Sequence, residues 1–303
     1  MPMVGLLLLG SGLMSVAAIT PFAHGKPAAF SMEFDDSMIS QVKNALPLLT
    51  KYKFNATFYV NPGVGHYAAN RTVWEKDVPL SGHELGDHTM HHRDTVGAAA
   101  ASSEIGDAAT ILHKVLGKPS LIPFAVPGGV KWDIPPADFQ RILTSNNLIF
   151  VPREGFYQDG QGDILRLPQL ALKTSSWHRL GFHGVGGDWL STSVENLISL
   201  LSFLDAHRSD IWVAPTGTVW KYQREREAVS SVTFADGVLK VAFDRAKLAP
   251  FELYDVPLTV RVPFAGSKAV VTVDGKKSSV PVVDGVAEFE FSPQAKSIRV
   301  SKG

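Results

Sequence analysis

The chain has 303 residues, enough for one large domain or a large domain with a small one. Hydrophobic residues make up 45% and charged residues 19%, which excludes a disordered chain and provides a sizeable core. Lys plus Arg and Asp plus Glu each total 29, so no electrostatic reason exists to expect nucleic acid or an anionic membrane as partner, and with no cysteine there are no disulfides, thiolate-bound metals or thiol nucleophile.

The chain opens on an apolar run, Val4 to Ala18, that ends in small residues. We read residues 1–18 as a signal-like segment with cleavage after Ala18, although no basic residue precedes it. The run is short for a membrane span, so the expectation is a secreted or extracytoplasmic protein without stable membrane insertion.

From residue 26 to 228, short apolar runs alternate with helical patterns. Ala29–Phe34 is the first predicted strand, followed by Ile39, Val42, Leu46 and Leu49 at helical spacing, with Pro47 restarting the helix in a first turn. Strands follow at Thr57–Val60 and Glu84–Asp87, then a helix from about Ser102 to Leu116 that buries Ile105, Ala109, Leu112 and Leu116. Leu121–Ala125 and Leu148–Val151 are strands on either side of a helix over Ala137–Thr144. Leu180–His183 is a strand, Thr192 with Glu195 forms a capping box for a helix through His207, and Ile211–Ala214 precedes a last helix over Val219–Glu227.

This alternation predicts an α/β fold with a parallel sheet, and its number of units suits a closed or nearly closed barrel. Residues 229–303 change character. Val232–Phe234, Val238–Phe243, Leu258–Val262, Ala269–Val273 and Val286–Phe291 alternate as strands, with Asp236-Gly237, Asp274-Gly275 and Asp284-Gly285 as hairpin turns. They predict a small antiparallel sandwich-like domain. It holds no tryptophan, and alternation puts Phe234, Phe243, Phe289 and Phe291 in its core, so we read it as a structural appendage rather than a sugar-binding module.

Chemistry concentrates where predicted strands end. Phe34-Asp35-Asp36 closes the first strand and His88-Thr89-Met90-His91-His92 follows the third. Two carboxylates and a pair of imidazoles four residues apart can hold a divalent metal and keep a spare base beside it. His88 and His92 would share a face if the segment turned helically, although spacing alone does not choose between His91 and His92. Gly128-Gly129 and His183 lie at later strand ends, and in barrels these ends form the active-site face.

The pattern resembles the polysaccharide deacetylases of the NodB-homology type, carbohydrate esterase family 4, over about Lys26 to Glu227. Their first motif, Thr-Phe-Asp-Asp-Gly, is met by Glu33-Phe34-Asp35-Asp36-Ser37, and their second, His-[Ser/Thr]-x-x-His, by His88 to His92. The approach Gly82-His83-Glu84-Leu85-Gly86-Asp87 is similar to their Gly-His-Glu-Ile-Gly-Asn, with His83 a structural residue. The resemblance implies a distorted (β/α) barrel. It implies that Asp36, His88 and His92 hold a divalent metal (Zn2+ first, with Co2+, Ni2+ or Mn2+ as alternatives), that Asp35 is the general base and that His183 is the acid.

The third motif reads Phe124-Ala125-Val126-Pro127-Gly128-Gly129, close to the Phe-Ala-Tyr-Pro-x-Gly variant. Ala125 thus replaces the arginine that steadies the base, and Arg153 is the candidate substitute. The Gly128 amide is the candidate oxyanion donor. The fourth motif, an Asp/Arg-Trp pair behind the histidine, has no clear counterpart; Trp177 and Asp188 are candidates by proximity.

The implied activity is metal-dependent deacetylation of an N-acetylated polysaccharide or oligosaccharide. O-acetyl ester cleavage, as on acetylated xylan, is the close alternative. A catalytically impaired carbohydrate-binding protein is the alternative of a different class.

Overall fold

The computed structural model describes residues 16–249 and 255–303. Residues 1–15 of the signal-like segment lie outside the described residues. The strands are, in chain order, β1 (Ala18–Ile19), β2 (Ala28–Asp35), β3 (Thr57–Val60), β4 (Glu84–Asp87), β5 (Thr95–Val96), β6 (Ile122–Phe124), β7 (Trp132–Asp133), β8 (Leu148–Phe150), β9 (Trp177–Phe182) and β10 (Ile211–Val213). The helices are α1 (Leu46–Tyr52), α2 (Gly65–Ala69), α3 (Val78–Leu80), α4 (Gly97–Leu116), α5 (Pro136–Ser145), α6 (Arg166–Thr174), α7 (Val194–Ala206) and α8 (Thr216–Ala228). The C-terminal strands are β11 (Val229–Ala235), β12 (Val238–Phe243), β13 (Leu258–Pro263), β14 (Lys268–Val273), β15 (Lys276–Val283), β16 (Val286–Phe291) and β17 (Ile298–Lys302).

Seven strands form one parallel sheet in the order β10-β2-β3-β4-β6-β8, with β9 on the other edge of β2. Every residue of β2 is buried, as expected of a central parallel strand covered on both faces. The sheet curls into a distorted barrel, and the parallel bridge Phe156–Gly181 spans the gap between the segment after β8 and β9. Phe30, Phe34, Phe58, Leu85, Phe124 and Phe182 from the strands pack with Ile105, Leu112, Leu197 and Leu201 from the helices in the main core.

Helix limits follow local chemistry. Pro47 sits in the first turn of α1, where its missing N–H costs nothing, directly after a π-helical stretch over Gln41–Ala45. α4 begins at Gly97, ahead of the expected Ser102, because Ala98–Ala101 extend it, and Gly117 at φ 65 ends it. The expected capping box on Thr192 is corrected by one residue. Ser193 is the cap, accepting the Asn196 N–H at 3.3 Å, while the buried Thr192 hydroxyl donates to Tyr157 O.

After α8, β15 pairs with β14 along its first part and with β16 at Val282–Val283, so that β1 and β11–β17 form one continuous antiparallel sheet folded about a shared core. Each Asp-Gly turn has both residues at positive φ, the geometry that matches hairpin twist. Phe289 and Phe291 are buried, and Phe234 and Phe243 pack against the same core. That core continues into the barrel through Ala29, Trp212 and Tyr222. Residues ahead of the barrel join it too. Ala18 and Ile19 pair with Arg261 and Val260, so the strand β1 straddles the expected cleavage point.

Candidate active site

The C-terminal ends of β2, β4 and β9 bring Asp35, Asp36, His88, His92 and His183 together. β2 and β3 run in register up to Asp35–Tyr59, and β3 and β4 up to Val60–Asp87, so the residues that follow emerge on one rim. The chain then turns sharply. Asp36 and Ser37 adopt φ 74 and φ 54, left-handed values that cost non-glycine residues of order 1 kcal/mol each. Where the deacetylase motif has glycine, Ser37 instead uses its Oγ to accept the Asn61 N–H at 3.0 Å. Asn61 in turn donates to the His88 and Thr89 carbonyls, tying the ends of β3 and β4.

His88 and His92 do not converge by a helical turn, as the sequence spacing suggested. They follow a strand end on an irregular loop with Thr89 at φ 68 and His92 at φ 52. Their Nε2 atoms each lie 3.4 Å from Asp36 Oδ1. One ligand atom from each of Asp36, His88 and His92 falls within 4.8 Å of the others. The His88 Nδ1–H donates to the Ala125 carbonyl at 2.9 Å, which orients the ring with Nε2 toward Asp36. His91 points elsewhere, donating from Nδ1 to Glu104 at 2.9 Å. His83 is structural: its Nδ1 accepts the Ala56 N–H, and burial pushes its pKa down to about 4.

The two adjacent carboxylates have different surroundings. Arg153 donates from Nη1 to Asp35 Oδ2 at 2.5 Å and from Nη2 to Oδ1 at 2.8 Å, while its Nε donates to Glu33 at 2.7 Å. Burial pushes the Asp35 carboxyl up, but Arg153, His88 and His183 outweigh it and hold the pKa below its ordinary value. Asp36 is 5% exposed, and both of its buried oxygens lack a hydrogen-bond partner among the described residues. A buried carboxylate without partners is costly unless a cation compensates it. Asp36 beside two imidazole nitrogens therefore fits a divalent metal held by three protein ligands.

His183 sits across the mouth, its Nε2 3.9 Å from Asp36 Oδ2. Its ring is stacked on Phe156 at 4.7 Å and lies 5.0 Å from Trp189. Phe156 is 47% and Trp189 53% exposed, so both present apolar faces at the rim. Gly181 makes room for this: a Cβ there would lie 2.8 Å from Phe156 and 3.1 Å from Arg153. Burial holds the His183 pKa below the usual imidazole value, against the pull of Asp35 and Asp36. An open groove of about 210 Å³ runs beside the cluster, lined by Asp36, Asn61, Val64, His66, His92 and Trp189.

Gly128 lies exposed on the loop that follows β6, three residues beyond the Ala125 carbonyl that binds His88. Trp177 is not part of the cluster. It pairs with Ala29 at the opposite end of the sheet, about 20 Å along the strand from Asp35, donates to Ser31 Oγ and packs toward the second core. The tryptophan beside His183 is instead Trp189, downstream of it, on a loop pinned by the Asp188 carboxylate accepting the Ser40 N–H.

Residues 24–137 match the profile of the family described as polysaccharide deacetylase. Over these residues the chain is similar to the polysaccharide deacetylases. A chitin deacetylase from Pestalotiopsis sp is 31% identical over 94 residues, covering 30% of this chain and 32% of that protein. A gellan lyase from Bacillus sp is 22% identical over 311 residues, covering 90% of this chain. The chain spans only 12% of the lyase and 32% of the chitin deacetylase. Among solved structures, the Bc1960 peptidoglycan N-acetylglucosamine deacetylase aligns with a TM-score of 0.50 and 19% identity, over 67% of this chain and 91% of that one. That likeness is one of fold. The peptidoglycan deacetylase PdaC from Bacillus subtilis aligns with a TM-score of 0.48 and 17% identity, over 67% of this chain and 96% of that one.

Proposed function

We propose that this polysaccharide deacetylase domain removes acetyl groups from the nitrogen of an acetylated polysaccharide or oligosaccharide, with a divalent metal held by Asp36, His88 and His92. The observation that carries the reading is the contrast between neighbouring carboxylates: Asp35 is satisfied by Arg153, while Asp36 is buried without a hydrogen-bond partner, 3.4 Å from the Nε2 atoms of His88 and His92. Two imidazoles and a carboxylate suit zinc, with cobalt, nickel or manganese as alternatives. When bound, such an ion polarises an acyl oxygen and acidifies water.

The chain's own groups supply the proton transfers. Asp35 stays ionised because Arg153 opposes its burial, and each of its oxygens keeps a second lone-pair site for the proton of the attacking water. His183, on the other side of Asp36, gives a proton to the leaving nitrogen. Its lowered pKa makes the imidazolium a stronger acid. The Gly128 amide, which needs only backbone for the task, is the proposed oxyanion donor. Phe156, stacked on the His183 ring, and Trp189, tilted against it, limit its contact with water.

The apolar run ending at Ala18 supports export, and no helix among the described residues is long and apolar enough to cross a membrane. Acetate release on chitin oligomers, poly-N-acetylglucosamine and acetylxylan tests the reading. Release from the first two is expected. Release from acetylxylan alone would move the activity to O-acetyl esters, and no release from any would contradict it.

A further inference from the structure

We propose that Gln41 is a positioning residue that fixes the acid, His183, relative to the base, Asp35. The backbone ladder between β2 and β9 ends at the pair Phe34–Phe182, one residue short of both groups. Beyond that point the Gln41 side chain takes over. Its Nε2 donates to the Asp35 carbonyl at 2.5 Å and to the His183 carbonyl at 3.0 Å, and its Oε1 accepts the Met38 N–H at 3.2 Å. Gln41 is fully buried, so each of these bonds is made away from water, where losing one leaves a polar group unsatisfied.

Its neighbours strengthen the tie. Ser40 Oγ accepts the Val185 N–H at 3.0 Å, the Ser40 N–H donates to Asp188 at 2.7 Å, and Asn44 Nδ2 donates to the Val185 carbonyl at 2.6 Å. Gln41 and Asn44 belong to the π-helical stretch after β2, a rare conformation that gathers at functional sites, and Ser40 precedes it. The loop they grip carries His183 at one end and Trp189 at the other. Gln41 reaches Asp35 and His183 only through backbone oxygens, so it sets where their side chains start and takes no part in proton transfer.

The kinetic arm of the test rests on the deacetylase reading; the structural arm does not. Gln41→Met keeps the side chain's length and removes both donors. In the crystal structure of the zinc-loaded variant, the His183 ring is expected to move by about 1 Å relative to Asp36, with His88 and His92 in place. A shift of that size costs about 10²-fold in kcat on an N-acetyl oligosaccharide. KM and zinc affinity should hold, and an activated acetate ester, whose leaving group needs no proton, should lose far less. Gln41→Glu, which keeps the acceptor for Met38 and one donor when protonated, should recover part of the loss.

An unmoved His183 ring, or equal losses on both substrates, would overturn the proposal. If Gln41→Met fails to fold, Asn44→Ala removes only the half-buried Val185 tie. It should show the same split on a smaller scale, and no split would overturn the proposal. Wild-type protein inactive on both substrates would remove the deacetylase reading, while the position of His183 in the variant structure would still decide the role of Gln41.

Discussion

Arg153 and Asp35 lie 118 residues apart in sequence and meet as a two-pronged ion pair, with both guanidinium nitrogens within 2.8 Å of the two carboxylate oxygens. The same guanidinium lies 4.4 Å from the Phe156 ring centroid and donates through Nε to Glu33, itself buried and bonded by Arg179 and Thr216. The orientation of the proposed base is therefore set from the end of β8, where the more usual motif would set it from the loop that Ala125 begins.

A planar fork held on three sides is not replaced by an ammonium. Arg153→Lys keeps the charge and loses the paired geometry, so turnover should fall by about 10²-fold through misplacement of Asp35, with metal affinity retained. Steady-state kinetics beside calorimetric metal titration check this. Unchanged turnover would show that the base needs only the nearby charge.

The two aspartates should separate cleanly. Asp35→Asn should bind metal as the wild type does and lose about 10²–10⁴-fold in turnover, the usual worth of a positioned base. Asp36→Asn should lose metal affinity, with partial rescue by excess metal. Equal metal loss in both variants would show the roles to be wrongly divided.

His183→Ala should lower turnover on sugar amides much more than on an activated ester, because only the amide's nitrogen needs a proton to leave. Comparable losses on the two substrates would reject the acid role.

Much of this site was legible because motif chemistry coincided with strand ends. Ala29–Phe34, Thr57–Val60 and Glu84–Asp87 carry the apolar signature of parallel strands, and Asp35, Asp36, His88 and His92 follow directly. The conformation of the histidine loop was not legible: four-residue spacing suits a helix, and only left-handed Thr89 and His92 reveal the actual path. Arg153 was visible as a strand-end arginine, but its pairing with both Asp35 and Glu33 depends on the curl of the sheet. Gln41, Asn61 and Phe156 carry no sequence signal because their partners are backbone groups or a ring distant in sequence, and Trp189 reaches His183 only through the turn of the loop between them. Trp177 misled because nearness in sequence to His183 becomes opposite ends of an extended strand. Among the C-terminal strands β15 was not legible because Lys276–Ser279 is exposed and polar throughout.

His83 links stability to pH. Its folded pKa is about 4 against 6.5 for the free side chain, since burial disfavours the charge and Nδ1 is occupied as an acceptor. The unfolded chain therefore binds the extra proton first as pH falls. The contribution is complete above pH 6.5 and is lost progressively down to pH 4, on the order of 3 kcal/mol in all. Thermal unfolding of the wild type should weaken more steeply over that window than unfolding of His83→Gln, which keeps an acceptor and cannot titrate. Parallel curves would show that His83 is protonated in the fold.

Acetate release from an N-acetylated chito-oligosaccharide by metal-stripped protein, before and after one equivalent of zinc, tests the proposed metal centre most directly. Release should be absent from the stripped protein, return with zinc for the wild type and for His91→Ala, and stay absent for His92→Ala. Full release from protein shown to be free of metal would contradict a metal centre at Asp36, His88 and His92.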